Sequence, residues 1–291
     1  MMDLNLVKIF LKKFGEIPEE IEREILNVVK ECYEKISHSV EFLEILLFET
    51  ASFMKSFYSQ ERKNAKVITE DFEDSFIAMH EAWKGIPRIA VCLESMAKMP
   101  KIVQIGALRH EVGHSILHGS IEYYIFPATK KLLDLSRKFN LSKEYLFNLI
   151  YLISIAVKDF EVTKLLLKNG YIEDQIAYSQ YLMRPSENDL TAWQLSKANP
   201  AHIILCLAGR LKDLACLIAL QPLLKTQGVI KNIMEGLFYL PHEILNKILR
   251  FVENLPQLMN GDTFQNFTIV IDSFIENFCI SILEKINGET I

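Results

Sequence analysis

The chain has no CxxC pair, and its five cysteines (Cys32, Cys92, Cys206, Cys216, Cys279) are odd in number and widely spaced. That excludes a zinc ribbon and offers no disulfide framework, so a reducing, cytoplasmic setting is expected. Positive charge is in the minority: 32 Lys and Arg against 37 Asp and Glu leave a net charge of −5. With no basic stripe interleaved with aromatics, nucleic acid is not an expected partner. Long apolar runs are missing too. The longest lie at 146–157 and 203–208, short of the roughly 20 residues a membrane-spanning helix needs, so no membrane partner is expected. The first 14 residues carry lysines but no small-residue cleavage site and do not read as a signal peptide. No internal repeat or low-complexity segment stands out. Histidine is scarce, at seven in 291 residues.

Three of those histidines fall in one stretch, His110-Glu111-Val112-Gly113-His114-Ser115-Ile116-Leu117-His118. On a helix, positions four apart differ by about 40° of rotation and about 6 Å of rise. His110 and His114 then project from one face and can hold one metal ion, while Glu111 stands beside them where a carboxylate can reach a metal-bound water. This HExxH spacing fits metal-assisted hydrolysis, usually of a peptide bond. The surroundings favour a helix. Pro100 suits a first turn, Ile102, Ile105, Val112, Ile116 and Leu117 supply an apolar side, and Gly119 stands where a C-cap glycine belongs. Gly113, in mid-helix, is either tolerated or required by a close backbone approach.

The stretch resembles the active-site helix of the zincin metallopeptidases, and its HExGHxxxH form is similar to that of the ImmA/IrrE-like peptidases. The match covers about ten residues. Leu117 and Ser120 stand where the metzincin pattern has glycine and histidine, so that branch is not indicated. The resemblance implies Zn2+ as cofactor, and a third ligand from a later helix in zincins of the glutamate-ligand type.

Among the residues that follow, Glu161 is the expected third ligand. It lies between Phe160 and Val162 near the end of a long apolar segment, where a carboxylate is costly unless paired or metal-bound. Asp159 is its rival, pointing about 200° away on a helix. His118 lies too far along the helix to share one zinc with both other histidines, so a supporting or capping role is expected. Glu122 lies beyond the helix end. Tyr123, Tyr124, Tyr171 and His202 are open choices for an oxyanion-stabilising donor. His38, His80 and His242 read as structural.

The expected fold class is α+β, predominantly helical: a small zincin-like sheet beside the HExxH helix, followed by an all-helical C-terminal region. Helices are expected at 19–36 and 51–65, and strands at 40–48, 75–83 and 88–93, with 84–87 as a hairpin connection. An edge strand of such a sheet can bind extended substrate, and an open groove beside 88–94 is expected of a peptidase. A helix bent or restarted at Pro127 covers 121–139. Ser142 caps a long helix ending at Asn169-Gly170. Residues 171–200 read as mixed, with a linker at 184–189, and helices at 201–221, 228–238, 242–254 and 263–287 follow. The expected domains are 1–170, catalytic, and 171–291, helical.

The expected function is that of a zinc metallopeptidase acting on a peptide or protein substrate, with His110, His114 and Glu161 on the metal and Glu111 as general base. The alternatives are a zincin-like regulatory or scaffolding protein with little catalysis, and a hydrolase of non-peptide amides or esters. Nothing in the sequence fixes the oligomeric state.

Overall fold

The computed structural model describes residues 7–65 and 77–287. In chain order the elements are β1 (Lys8–Phe14), α1 (Glu19–Lys35), β2 (Phe42–Phe48), α2 (Ala51–Ala65), β3 (Ala78–Glu81), β4 (Arg88–Cys92), α3 (Leu93–Met96) and α4 (Lys101–Leu117). A 3-10 turn at Ile121–Tyr124 follows, then α5 (Lys130–Phe139), α6 (Lys143–Lys168), α7 (Glu173–Leu182), α8 (Glu187–Ser196), α9 (Pro200–Ala219), α10 (Gln221–Gly236), α11 (His242–Leu258), α12 (Thr263–Phe274) and α13 (Ile280–Asn287). The class is α+β and predominantly helical. The chain forms two compact units, one running to Ile125 and taking back Leu165–Tyr178, the other comprising Phe126–Lys164 and Ser179–Ile291. A boundary at 170 therefore falls inside the segment that returns to the first unit.

The first unit is built on a four-stranded sheet of order β1-β2-β4-β3, in which only β3 is antiparallel to its neighbour. The inner strands β2 and β4 are buried on both faces, with Leu43, Ile45 through Phe48 and Ile89 through Cys92 fully covered. This is why Phe42–Phe48 reads as a nearly continuous apolar run rather than an alternation. One face meets α2, through Leu46, Phe48, Ala90 and Cys92 against Met54 and Tyr58. Of the strand expected at 75–83, positions 75 and 76 lie outside the described residues, and β3 runs from Ala78 to Glu81. β1 was not expected from the sequence. Its lysines lie along an edge, where charge discourages pairing with another chain.

Arg88 ties three of these strands and α2 together. Its Nε donates to Glu44 at 2.5 Å, and its Nη1 donates to Glu61 at 2.9 Å and to Glu81 at 2.7 Å. Burial works against the charge on Arg88, yet Glu81 and Glu44 hold the guanidinium pKa above its ordinary value. Burial would likewise raise the Glu44 carboxyl, but Lys12 and Arg88 outweigh it and hold the group below the usual range. Glu81 also accepts from Trp83 Nε1 at 2.7 Å, so the end of β3 is fixed by three donors, Arg88, Trp83 and Tyr58.

The second unit is all helical. The 3-10 segment ends at Tyr124, and α5 starts afresh after Pro127 with Thr129 as its cap, accepting from Leu132 N–H. Ser142 caps α6 by accepting from Tyr145 N–H at 3.1 Å. At the other end of α6, Gly170 takes the left-handed conformation (φ 81°), and Tyr171 N–H bonds back to Leu166 C=O, the Schellman closure that the Asn-Gly pair predicts. The expected linker at 184–189 is a tight turn into α8, closed by a capping box between Ser186 and Asp189. Among the described residues, one helical stretch, Thr263–Glu284, is long and apolar enough to cross a bilayer. Its Phe267, Phe274 and Phe278 are buried, and the last two pack on Phe251.

Candidate metal centre

The HExxH residues lie on α4, which is covered nearly all round. Gly106 through Leu108 and His110 through Ser115 are buried. The apolar side expected from the sequence is only partly the buried one: Val112 is fully covered, but Ile102 is 41% exposed, and Val103, Ala107 and Leu108 supply the rest. A helix packed on several sides shows no narrow apolar stripe, so its periodicity does not mark the core. Pro100 is the N-cap itself, in extended conformation, one position earlier than a first-turn role. Gly119 has no left-handed φ. It is required because a Cβ there would lie 2.2 Å from Ser115 O and 2.9 Å from Pro87 Cγ.

Several contacts orient α4. Ser115 Oγ donates to Val112 C=O at 2.6 Å, so the buried Tyr33 hydroxyl of α1, also at 2.6 Å, is the donor to Ser115 Oγ. Arg109 reaches Glu31 of α1 at 2.9 Å and Asp174 of α7 at 3.2 Å, with its guanidinium 4.3 Å from the Tyr171 ring centre. Gly106 lets α7 approach: a Cβ there would stand 2.5 Å from Asp174 O and 2.9 Å from Tyr178 Cβ. Gln175 Nε2 donates to Gly106 C=O at 3.0 Å, sealing the contact.

Within that frame the histidine side chains converge. His110 Nε2 and His114 Nε2 are 3.1 Å apart, with ring planes at 78°. Glu111, between them in sequence, is 7% exposed. His114 turns its other nitrogen to His118, Nδ1 to Nδ1 at 3.4 Å. His118 is buried and caps α4, its N–H bonding His114 C=O at 2.7 Å. The Tyr123 ring meets His118 edge-on at 5.0 Å.

Two neighbours were not assigned to the site from the sequence, His80, which reads there as structural, and Tyr178. His80 of β3 stacks parallel to His114, with centroids 5.9 Å apart and planes within 6°. Tyr178 of α7 packs on His110 at 5.2 Å. The only trace of His80 in the sequence is its place in an alternating strand-like run, and its meeting with His114 depends on how β3 lies against α4. The strand at 88–92 is internal, flanked by β2 and β3, so the groove expected beside it cannot exist there; the edge next to α4 is β3. Cys92 N–H bonds Ile77 C=O, which makes 77, 79 and 81 the positions bonded to β4 and turns the backbone groups of 78, 80 and 82 outward. The outward N–H of Ala82 donates to Tyr124 Oη at 2.6 Å.

The remaining sequence-derived residues lie as follows. Tyr171 is sandwiched by Arg109 and Lys35. Glu122 is exposed in the 3-10 turn, and His202 is exposed at the start of α9. In the second unit, Glu161 Oε1 accepts from Asn266 Nδ2 at 2.6 Å and Oε2 accepts from Thr263 Oγ1 at 2.8 Å, so the carboxylate grips the first turn of α12. Asp159, on the same helix, lies near enough to Cys216 for its charge, after burial, to help raise that thiol. Burial also pushes Cys32 and Cys279 up to about 12 and raises Cys206. These four thiols are neutral at physiological pH and poor nucleophiles. No family model, curated protein or solved structure matches the chain.

Proposed function

We propose that the protein is a zinc-dependent peptidase with its metal held on α4. The observation that carries the reading is the 3.1 Å separation of His110 Nε2 and His114 Nε2. Two nitrogens bound tetrahedrally to one zinc at about 2.0–2.1 Å lie about 3.3 Å apart. The pair is thus already spaced for one ion, by buried side chains of the right chemistry. A third ligand from the protein is assigned by the sequence argument to Glu161, with Asp159 as the alternative.

Zinc at such a site would lower the pKa of a water towards about 7 and polarise the carbonyl to be attacked. Glu111 is the residue proposed to take the proton from the attacking water and pass it to the leaving amine nitrogen. The burial of Glu111 on the same helix, next in sequence to His110, supports this role. The expected substrate is a peptide or protein, the usual target of an HExxH metal helix. His80 and Tyr178 join Tyr123 as side chains that border the histidines. The test is Glu111→Gln, assayed with a peptide library. Loss of hydrolysis with zinc retained is expected; full hydrolysis by the variant would overturn the assignment of Glu111.

A further inference from the structure

β1 forms one edge of the sheet. Lys8 N–H bonds Glu41 C=O, and Phe14 C=O accepts from Glu49 N–H. In a parallel ladder with Lys8 opposite Phe42 and Phe14 opposite Phe48, the backbone groups of 8, 10, 12 and 14 therefore face β2. Those of Ile9, Leu11 and Lys13 face the other way, and among the described residues no strand pairs with them. Such an edge is a template for a further strand. We propose that it is the interface of a two-fold dimer, in which two copies of this chain join their sheets through antiparallel β1 strands centred on Leu11.

The order of the side chains selects the partner and the register. β1 reads Lys8-Ile9-Phe10-Leu11-Lys12-Lys13-Phe14. Paired antiparallel about Leu11, two copies set Ile9 opposite Lys13 and Leu11 opposite Leu11, so every outward backbone group bonds across the join. On the other face Lys8 meets Phe14 and Phe10 meets Lys12. Each lysine thus faces an apolar or aromatic residue. A slip of two residues, the smallest that keeps the outward groups paired, sets Lys8 opposite Lys12 in one direction and Lys12 opposite Lys12 in the other. Like charges directly opposite are destabilising, and larger slips pair only part of the strand. The edge lysines therefore discourage pairing in general and spare this one register.

The surface is ready for the contact. Phe10 is 53% exposed, and its ring stacks on Phe42 with centres 6.0 Å apart. The stem of the partner's Lys12 covers that exposed face while its ammonium stays on Glu44 of its own copy, as it does within one chain. The interface is isologous and closes on itself, so assembly stops at two copies. The joined sheet has the order β3-β4-β2-β1-β1-β2-β4-β3, with β3, the strand that contacts α4, at both far ends.

The test is sedimentation equilibrium of the full chain over a concentration series, for wild type, Phe10→Lys and Phe10→Glu, joined to oxidative cross-linking of Leu11→Cys. The two-fold axis makes Phe10 meet Lys12 twice. Phe10→Lys turns both contacts repulsive and should weaken the dimer about tenfold, whereas Phe10→Glu turns both attractive and should tighten it by roughly a few-fold. Leu11→Cys sets two thiols on directly bonded neighbours, with Cα atoms about 5.5 Å apart and within disulfide reach. It should give a cross-linked dimer that wild type, with its own cysteines, does not. A wild type that stays monomeric throughout overturns the proposal. So does a dimer whose affinity both Phe10 variants move in the same direction or leave unchanged, because that dimer uses another surface. Circular dichroism identifies any variant that does not fold. If Phe10→Lys is one, the cross-link decides, and its absence from Leu11→Cys beside a dimeric wild type overturns the proposal.

Discussion

The same substitution, glycine to alanine, should have opposite effects at two helical positions. Alanine gains about 0.8–1.0 kcal/mol over glycine in a helix interior. At Gly209 of α9 a Cβ would meet nothing within 4 Å, so Gly209→Ala should collect most of that and stabilise the protein by about 0.5–1 kcal/mol. At Gly106 of α4 the added Cβ would lie 2.5 Å from Asp174 O and 2.9 Å from Tyr178 Cβ. The nearest of these is backbone, so α7 must shift as a body. Overpacking of this kind costs about 1–3 kcal/mol, and a backbone obstacle argues for the upper end. Subtracting the helix gain of about 1 leaves Gly106→Ala destabilised by about 2 kcal/mol. Urea denaturation followed by far-ultraviolet circular dichroism measures both. A Gly106→Ala protein as stable as wild type would refute the close approach of α7 to α4, and with it the placement of Tyr178 on His110.

Two further outcomes follow from buried charge. Arg88→Met leaves Glu44, Glu61 and Glu81 without the buried cation they share; removing one side of a buried pair costs about 3–5 kcal/mol, and urea denaturation should show a loss of that size. Asp213 of α9 is pushed up to about 6 by burial, against the pull of Lys212 and Arg210, from an ordinary 3.8. The folded state thus holds a proton between pH 4 and 6 that the unfolded chain has released, so this group's contribution to stability falls as pH rises through that window, by about 3 kcal/mol in all. Denaturation curves from pH 4 to 7 should show the slope in wild type and a flatter one in Asp213→Asn.

What the sequence could and could not reveal follows from the range of the forces involved. The i, i+4 relation of His110 and His114 is local, so helix geometry alone brings them together. The caps at Ser142 and Gly170 were legible for the same reason, since a hydroxyl or a left-handed glycine acts on its own turn. β1 was missed because Lys8, Lys12 and Lys13 sit among apolar residues without a clean alternation on an edge strand. The buried side of α4 was misjudged because α1, α7 and the sheet cover it from several directions. His80, Tyr178 and the need for glycine at 106 depend on tertiary neighbours, which no local pattern encodes. Glu161 shows the converse: burial of a carboxylate among apolar residues signals that it has a partner, and in the second unit Thr263 and Asn266 are partners of that kind.

The geometry of α4 gives the account its centre, and metal content tests it most directly. Elemental analysis of wild type, His110→Ala, His114→Ala, Glu111→Gln, Glu161→Ala and Asp159→Ala after equilibration with zinc would be compared. The account predicts about one zinc per chain in wild type and in Glu111→Gln. It predicts loss in both histidine variants and weakened binding in whichever of Glu161→Ala and Asp159→Ala removes the third ligand. A wild type that takes up no zinc, or histidine variants that hold it as well as wild type does, would contradict the account.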